Sequence, residues 1–376
     1  MRVLQLLPAL KEGGVEKCAV DMARHLDEKG VDNWVASAGG PLVSELPAGT
    51  RHVVIPIGRK TPWAILANAC RISRLIREER IDVVHALSRA PAWVGWIACR
   101  LMVRRPVRFV TTVHGAHGHG NALKRFYNSS MVRSDCVVAT SQFIFDHICT
   151  VYKVPAAKIL LAPRGINEAR FDPAAISQAA RNEQRAALGL GDQTAMLAMI
   201  GRLTPLKGHS ELMKALSQVR DLDWHMVFVG SGTPEMTRRL QALSAELGLE
   251  KRITWTGGLS DVRPVLAATD LAFSASVRPE ALGLTTIEAE AMEVPVIATA
   301  HGGSLETVVH EKTGWLVEPG NPSAMTDTIR HALSDRARLL LMGKEARRHV
   351  LANFTLQRML EAESAAYETP SRAEAA

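Results

Sequence analysis

At 376 residues the chain is long enough for two domains with full cores. Its composition, 47% hydrophobic and 22% charged, is that of an ordinary globular protein and excludes a disordered or fibrous chain. The formal charge of +7 is unevenly spread: residues 1–170 hold 24 Lys and Arg against 13 Asp and Glu, and the remainder holds 21 against 25. Such a basic first half suits nucleic acid, an anionic membrane surface or a phosphorylated acceptor, or is simply a solvated face. No zinc-finger or RNP-type motif is present, and aromatics at 5% leave few stacking platforms for bases, so nucleic acid is set aside as a partner.

In chain order, residues 3–7 read as a strand directly after Met1-Arg2, with no signal-peptide layout, and residues 15–26 as an amphipathic helix. Apolar runs at 34–36, 53–55, 83–84, 109–113, 136–139 and 159–161 follow, with helices near 62–78 and 91–102 between them. The most apolar stretch, 91–103, contains Arg100 and is too short to span a bilayer. Residues 165–192 break the pattern with Phe171-Asp172-Pro173 and Gly189-Leu190-Gly191-Asp192. The alternation restarts at 195–200 and continues through 226–229, 253–255, 271–273, 296–298 and 315–317. The expected fold class is therefore α/β, with two Rossmann-like doubly wound domains over residues 1–170 and 171–355. A last helix is expected over 356–368, and a polar, disordered tail over 369–376. Cys18, Cys70, Cys99, Cys136 and Cys149 show no C-x-x-C spacing and read as reduced thiols of a cytoplasmic protein.

Several short patterns carry chemistry. Gly13 and Gly14 follow the first strand without a G-x-G-x-x-G fingerprint; they are either a plain turn or a place where backbone approaches a ligand closely. Gly201-Arg202-Leu203-Thr204-Pro205-Leu206-Lys207-Gly208 follows the first strand of the second half. It is not a Walker loop, and Arg202 and Lys207 are either surface cations or a diphosphate clamp. His114-Gly115-Ala116-His117-Gly118-His119-Gly120 has no neighbouring Cys or carboxylate and makes a poor metal cage, so no metal and no cofactor are assigned. Asp221-Leu222-Asp223 spells D-x-D but precedes its strand, at the wrong end for a ligand, and reads as a turn. Asn128-Ser129-Ser130 is a sequon, idle in a cytoplasmic chain.

Glu280 and Glu288 stand eight positions apart, with Gly283 as a turn and Thr285 expected to open a helix. Eight steps at helical rise span about 12 Å, and the helix start offers free N–H groups to a phosphate between the two carboxylates. The competing reading is structural: Thr285 and Glu288 form an S/T-x-x-E capping box that needs no ligand.

The neighbourhood adds to this. Arg278-Pro279-Glu280, Gly283-Leu284, Glu288-Ala289, Pro295-Val296-Ile297-Ala298, Gly302-Gly303, Glu306, Thr313-Gly314-Trp315-Leu316-Val317 and Pro319 resemble the signature region of the family-4 retaining glycosyltransferases. Gly13-Gly14, His114-Gly115, Pro163-Arg164-Gly165-Ile166, Gly201-Arg202-Leu203, Lys207-Gly208 and Gly230-Ser231-Gly232 extend the resemblance nearly end to end, in the family's order. Leu282 departs from it, since many members carry an aromatic there. The resemblance implies a GT-B fold with two domains facing a cleft, and a closing helix that returns to the first domain. It also implies retaining, metal-independent transfer from a nucleotide-sugar donor to an acceptor hydroxyl. Glu280 would bind the sugar, with His114 near the sugar and β-phosphate. Gly13, Gly14, Arg202, Lys207, Gly283, Leu284 and Thr285 would hold the donor phosphates, and Glu288 the ribose. His117 and His119 would lie near the acceptor entrance. The texture is similar to enzymes of lipopolysaccharide core or envelope polysaccharide assembly. A lipid-linked saccharide acceptor and peripheral contact with an anionic membrane surface are therefore expected.

Overall fold

The computed structural model describes residues 1–11, 13–116, 118 and 120–368. The chain divides into two compact units, Met1–Pro163 with the chain from Arg358, and Arg164–Gln357. The expected alternation of strands and helices runs through both, and every strand pairing is parallel.

The first unit holds strands β1 (Arg2–Leu6), β2 (Asp32–Ser37), β3 (Thr50–Val54), β4 (Val83–Ala86), β5 (Arg108–Val113), β6 (Cys136–Ala139) and β7 (Ile159–Leu161), in the order β3-β2-β1-β4-β5-β6-β7. Helices α1 (Gly14–Glu28), α2 (Pro62–Glu78), α3 (Arg89–Ile97), α4 (Ala122–Asn128) and α5 (Gln142–Tyr152) connect them. Strands β4, β5 and β6 are buried along their whole length, as expected where helices cover both faces of a parallel sheet.

That burial gives His85, in β4, a particular role. It has no solvent exposure, and burial lowers its pKa to about 3, so the ring is neutral. Its Nδ1 meets the Tyr367 hydroxyl at 2.8 Å and its Nε2 meets Thr112 Oγ1 at 2.7 Å; the Thr112 hydroxyl donates to Glu363 Oε1 at 2.5 Å. Tyr367 and Glu363 belong to α14 (Leu356–Glu368), whose Ala366 carbonyl also accepts from Arg108 Nε. A polar seam thus fastens the end of the last helix to β4 and β5, in addition to the apolar burial of Met359, Leu360 and Ala366 on that helix.

On α2, Ala69, Ile72 and Ile76 turn inward, while Arg71, Arg74, Arg77 and the 81%-exposed Trp63 face solvent. The basic residues beyond α3 are less available than the charge count of the first half suggests. Arg100 pairs with Asp135, Arg105 reaches the Ile81 carbonyl, and Arg108 is buried; Arg104 alone of the four is exposed and without a hydrogen bond or ion pair to a described residue.

The second unit holds β8 (Ala195–Ile200), β9 (Trp224–Val229), β10 (Ile253–Gly257), β11 (Leu271–Ser274), β12 (Val296–Thr299) and β13 (Gly314–Val317), in the order β10-β9-β8-β11-β12-β13. Its helices are α6 (Gln178–Ala187), α7 (His209–Leu216), α8 (Pro234–Glu246), α9 (Arg263–Ala268), α10 (Leu284–Ala291), α11 (Ser304–Thr307), α12 (Pro322–Leu333) and α13 (Arg336–Asn353). Period-two alternation sorts the strand residues. Leu197, Met199, Met226, Phe228 and Ile297 join one core cluster, while Met196, Ala198, Val227, Val229, Val296 and Ala298 join clusters on the other face. The order reverses between β8 and β11, so this junction is the topological switch point where open α/β sheets receive ligands.

The start of α10 differs from expectation. Gly283, at φ 94°, is the N-cap, and Thr285 is the second helical residue. Thr285 and Glu288 therefore do not occupy the two ends of a capping box, and that explanation of Glu288 falls away. The same helix carries Glu290, fully buried, with Oε1 accepting from Thr313 Oγ1 at 3.1 Å and Oε2 without a partner among the described residues. Burial pushes its pKa well above the ordinary 4.5, the Thr313 hydrogen bond opposing it. A carboxyl raised on folding contributes stability that is fully present below its unfolded value and lost as pH rises through the folded one. Glu290→Gln, neutral at all pH, is expected to melt roughly 2–4 °C or more above the parent at pH 8 and to lose that advantage at pH 4. Melting curves across this range check it; a constant difference between parent and variant contradicts it.

Candidate active site

The loops that carry the expected site residues in the second unit all leave the carboxyl ends of neighbouring strands. Loop 201–208 follows β8, loop 275–283 follows β11, and Ala300 to Gly303 follow β12. They are stitched together. The Val277 N–H donates to the Leu206 carbonyl at 2.9 Å, and the Gly303 N–H donates to the Glu280 carbonyl at 3.0 Å. Two close approaches demand glycine. Gly208, at φ 77°, leaves no room for a Cβ against the Ala275 carbonyl oxygen, and a Cβ on Gly303 would run into Leu282 Cα.

This stitching brings two expected site residues into direct contact. Lys207 Nζ lies 2.8 Å from both Oε1 and Oε2 of Glu280, across the switch point, with side-chain exposures of 24% and 22%. The pair is part-buried, so each charge depends on the other for a partner. Arg202, on the same loop, is exposed and makes no hydrogen bond or ion pair to a described residue, and the same holds for Arg278 beside Glu280. Gly283 turns the chain into α10, whose first residues, Leu284 and Thr285, present the N–H groups that a helix start leaves open. Glu288 lies one turn further on, part-buried.

The first residue of α7 has its own constraint. His209 is 1% exposed, packs against the Phe228 ring at 5.2 Å, and has a pKa lowered to about 4, first by burial and then by the Lys207 charge. It is neutral beside Lys207 and adds no competing charge.

In the first unit, Gly13 is the N-cap of α1 and Gly14 its first residue, both directly after the β1 loop. His114 follows the last residue of β5 and is part-buried. A small apolar pocket lined by Val113, Gly115, Met131, Ile148 and Tyr152 lies beside it. Asn128 Nδ2 donates to the Gly118 carbonyl at 3.0 Å, and Asn128 is itself buried, which leaves the sequon closed to modification. His117 and His119, expected near the acceptor entrance, lie outside the described residues, as do 369–376.

Asp221 and Asp223 sit before β9, as the sequence suggested. Asp221 is engaged by Arg330 at 2.6 and 3.0 Å and Asp223 by Thr194 Oγ1 at 3.0 Å. Sequence reasoning missed three residues that touch the site: Ser276, Thr299 and His301. Ser276 Oγ donates to Glu280 Oε1, and the Ser276 carbonyl receives Thr299 Oγ1 at 2.8 Å and His301 Nε2 at 2.7 Å. These contacts join residues 23 and 25 positions apart, and no local pattern marks them.

Comparison with known proteins agrees with this architecture. Residues 180–349 match the family model described as glycosyl transferases group 1, and residues 12–170 match that of glycosyltransferase family 4. A GDP-mannose-dependent alpha-(1-6)-phosphatidylinositol monomannoside mannosyltransferase of Mycobacterium tuberculosis is 31% identical over 76% of this chain and 75% of its own length. The crystal structure of a glycosyltransferase from Rickettsia africae superimposes with a TM-score of 0.88 at 34% identity, covering 98% of this chain and 99% of that one. The Anabaena protein Alr3699/HepE, solved in complex with UDP-glucose, shares the fold with a TM-score of 0.83 at 22% identity, over 97% of this chain and 98% of that one. With two Rossmann-like parallel-sheet units and this likeness along both, the chain belongs to the family-4 glycosyltransferases and has the GT-B fold class.

Proposed function

We propose that this glycosyltransferase moves a sugar from a nucleotide-sugar donor to an acceptor hydroxyl with retention of configuration. The observation that carries the proposal is the Lys207–Glu280 pair at the switch point of the second sheet, beside the open start of α10. The donor diphosphate would take Lys207 from Glu280, with Arg202 and the N–H groups at Gly283, Leu284 and Thr285 completing its cradle. Protein cations would then neutralise the leaving group, and the mechanism would need no metal. Released from Lys207, Glu280 would accept from sugar hydroxyls and favour the positive charge that develops as the glycosidic bond breaks. Glu288 would bind the ribose. In the first unit, the family resemblance assigns His114 to the sugar and β-phosphate, and Gly13 and Gly14 to the donor phosphates. Same-face attack would give retention, with the departing phosphate oxygen taking the acceptor proton.

The test combines a donor screen with substitutions. Among UDP-glucose, GDP-mannose and ADP-glucose, one donor is expected to raise the melting temperature most, by mass action on the folded state. Lys207→Ala and Arg202→Ala are each expected to lower turnover about tenfold or more while melting within about 2 °C of the parent. Glu280→Gln is expected to depress turnover without weakening nucleoside diphosphate binding. Variants that unfold readily while the residual protein keeps normal turnover would contradict the clamp.

For the acceptor, we propose a lipid-linked saccharide of lipopolysaccharide core or envelope polysaccharide assembly, reached at the cytoplasmic face of an anionic membrane. Among the described residues, no helix is long and apolar enough to cross a membrane. Docking would use the outer face of α2, where Trp63 at 81% and Leu66 at 44% exposure share a helix with Arg71, Arg74 and Arg77. The mannosyltransferase relative, whose name gives a phosphatidylinositol monomannoside, supports a lipid-linked acceptor. Basic residues at an anionic surface contribute about 1 kcal/mol each and are screened by salt. Co-sedimentation with anionic vesicles is expected at low salt and absent at high salt. Equal binding to neutral vesicles, or none at low salt, favours a soluble acceptor of the glycogen or sucrose type.

A further inference from the structure

Glu280 is held from two sides. Lys207 occupies both carboxylate oxygens from loop 201–208, and Ser276 Oγ donates to Oε1 from the base of Glu280's own loop. The two contacts differ in what happens when a donor arrives. A diphosphate competes for the lysine, but Ser276, only 3% exposed, has no charge to offer it. Once Lys207 is engaged elsewhere, the Ser276 hydroxyl is the remaining side-chain hydrogen bond to the carboxylate among the described residues.

Ser276 is itself fixed by β12 and the residues that follow it. Its carbonyl oxygen accepts from Thr299 Oγ1 at 2.8 Å and faces His301 Nε2 at 2.7 Å; that nitrogen also lies 2.9 Å from Thr299 Oγ1. A carbonyl can only accept, so His301 Nε2 carries the proton in this contact. Both lone pairs of the Ser276 oxygen are then used, and the backbone from which Oγ projects cannot rotate without breaking two hydrogen bonds. Directly after His301, Gly302 lies close against the Glu280 backbone, and Gly303 packs on Ala281 and Leu282 while its N–H donates to the Glu280 carbonyl. The whole segment forms a shelf under the acidic loop.

We propose that Ser276 is the positioning group of the Glu280 carboxylate in the donor-loaded site, and that His301 acts on sugar transfer through it. The proposal rests on the reading of Glu280 given above. Neither residue touches the reacting atoms; each holds the carboxylate where positive charge develops. Small misplacements of a catalytic group cost turnover steeply, on the order of tenfold to a hundredfold. Binding of the diphosphate, which uses Arg202, Lys207 and the start of α10, is independent of this shelf.

The test is a double-mutant cycle on release of nucleoside diphosphate, measured on whichever of UDP-glucose, GDP-mannose and ADP-glucose is consumed fastest. His301→Ala and Ser276→Ala are each expected to lower turnover about tenfold or more, with UDP and GDP affinities unchanged by titration calorimetry. His301→Gln, which retains a donor nitrogen at similar reach, is expected to recover turnover to within about threefold of the parent. Placed on Glu280→Gln, His301→Ala is expected to change turnover by less than about twofold, because the residue it positions is already disabled. A crystal structure of His301→Ala is expected to show the Ser276 hydroxyl turned away from Glu280. Unaltered turnover in both single variants, a full multiplicative loss on the Glu280→Gln background, or diphosphate binding weakened by the same factor as turnover overturns the positioning role alone. Full turnover of Glu280→Gln itself overturns the reading of Glu280 and this proposal together.

Discussion

The Lys207–Glu280 ion pair joins two loops that are 73 residues apart in the chain and adjacent only because β8 and β11 are neighbours in a parallel sheet. Parallel strands deliver all their carboxyl ends to one edge, and the reversal of strand order there opens a gap between the two loops. A lysine and a glutamate at that gap neutralise each other while no ligand is bound. Neither charge is then left in a part-buried place without a partner, which would be costly. On the proposed function, the donor diphosphate would displace the carboxylate from this partly exposed pair.

Much of the arrangement was legible in the sequence. The strand pattern and its restart near residue 195 reflect burial on both faces, which a covered parallel sheet writes as short continuous apolar runs. Lys207, Arg202 and Glu280 could be singled out because they sit in glycine- and proline-marked loops after such runs. The exact helix start could not be read. Thr285 looks like an N-cap because threonine so often is one, but Gly283 takes the left-handed conformation and begins the helix earlier. The shelf of Ser276, Thr299 and His301 left no local trace, since serine, threonine and histidine near strand ends are common and only the sheet brings them together. The positive charge of the first half overstates what is available for the opposite reason: composition counts charges, and Arg100, Arg105 and Arg108 are engaged inside the unit.

The first unit is fastened in a different way. Its sheet closes onto α14 through the buried seam of His85, Thr112, Glu363 and Tyr367, each hydrogen-bonded to another. Polar seams of this kind are favourable only when fully satisfied, and they specify one docking register where apolar packing would allow several. In the neutral ring that burial favours, Nε2 donates to the Thr112 hydroxyl, whose own proton goes to Glu363, and Nδ1 accepts from Tyr367.

The central claim is that the donor diphosphate takes Lys207 from Glu280. The most direct measurement is a crystal structure of the protein with the nucleoside diphosphate that stabilises it most. The account predicts Lys207 Nζ within hydrogen-bond distance of a β-phosphate oxygen, that phosphate against the first N–H groups of α10, and Glu280 still held by Ser276. A diphosphate bound elsewhere, with Lys207 still on both oxygens of Glu280 and the start of α10 left to water, would contradict it.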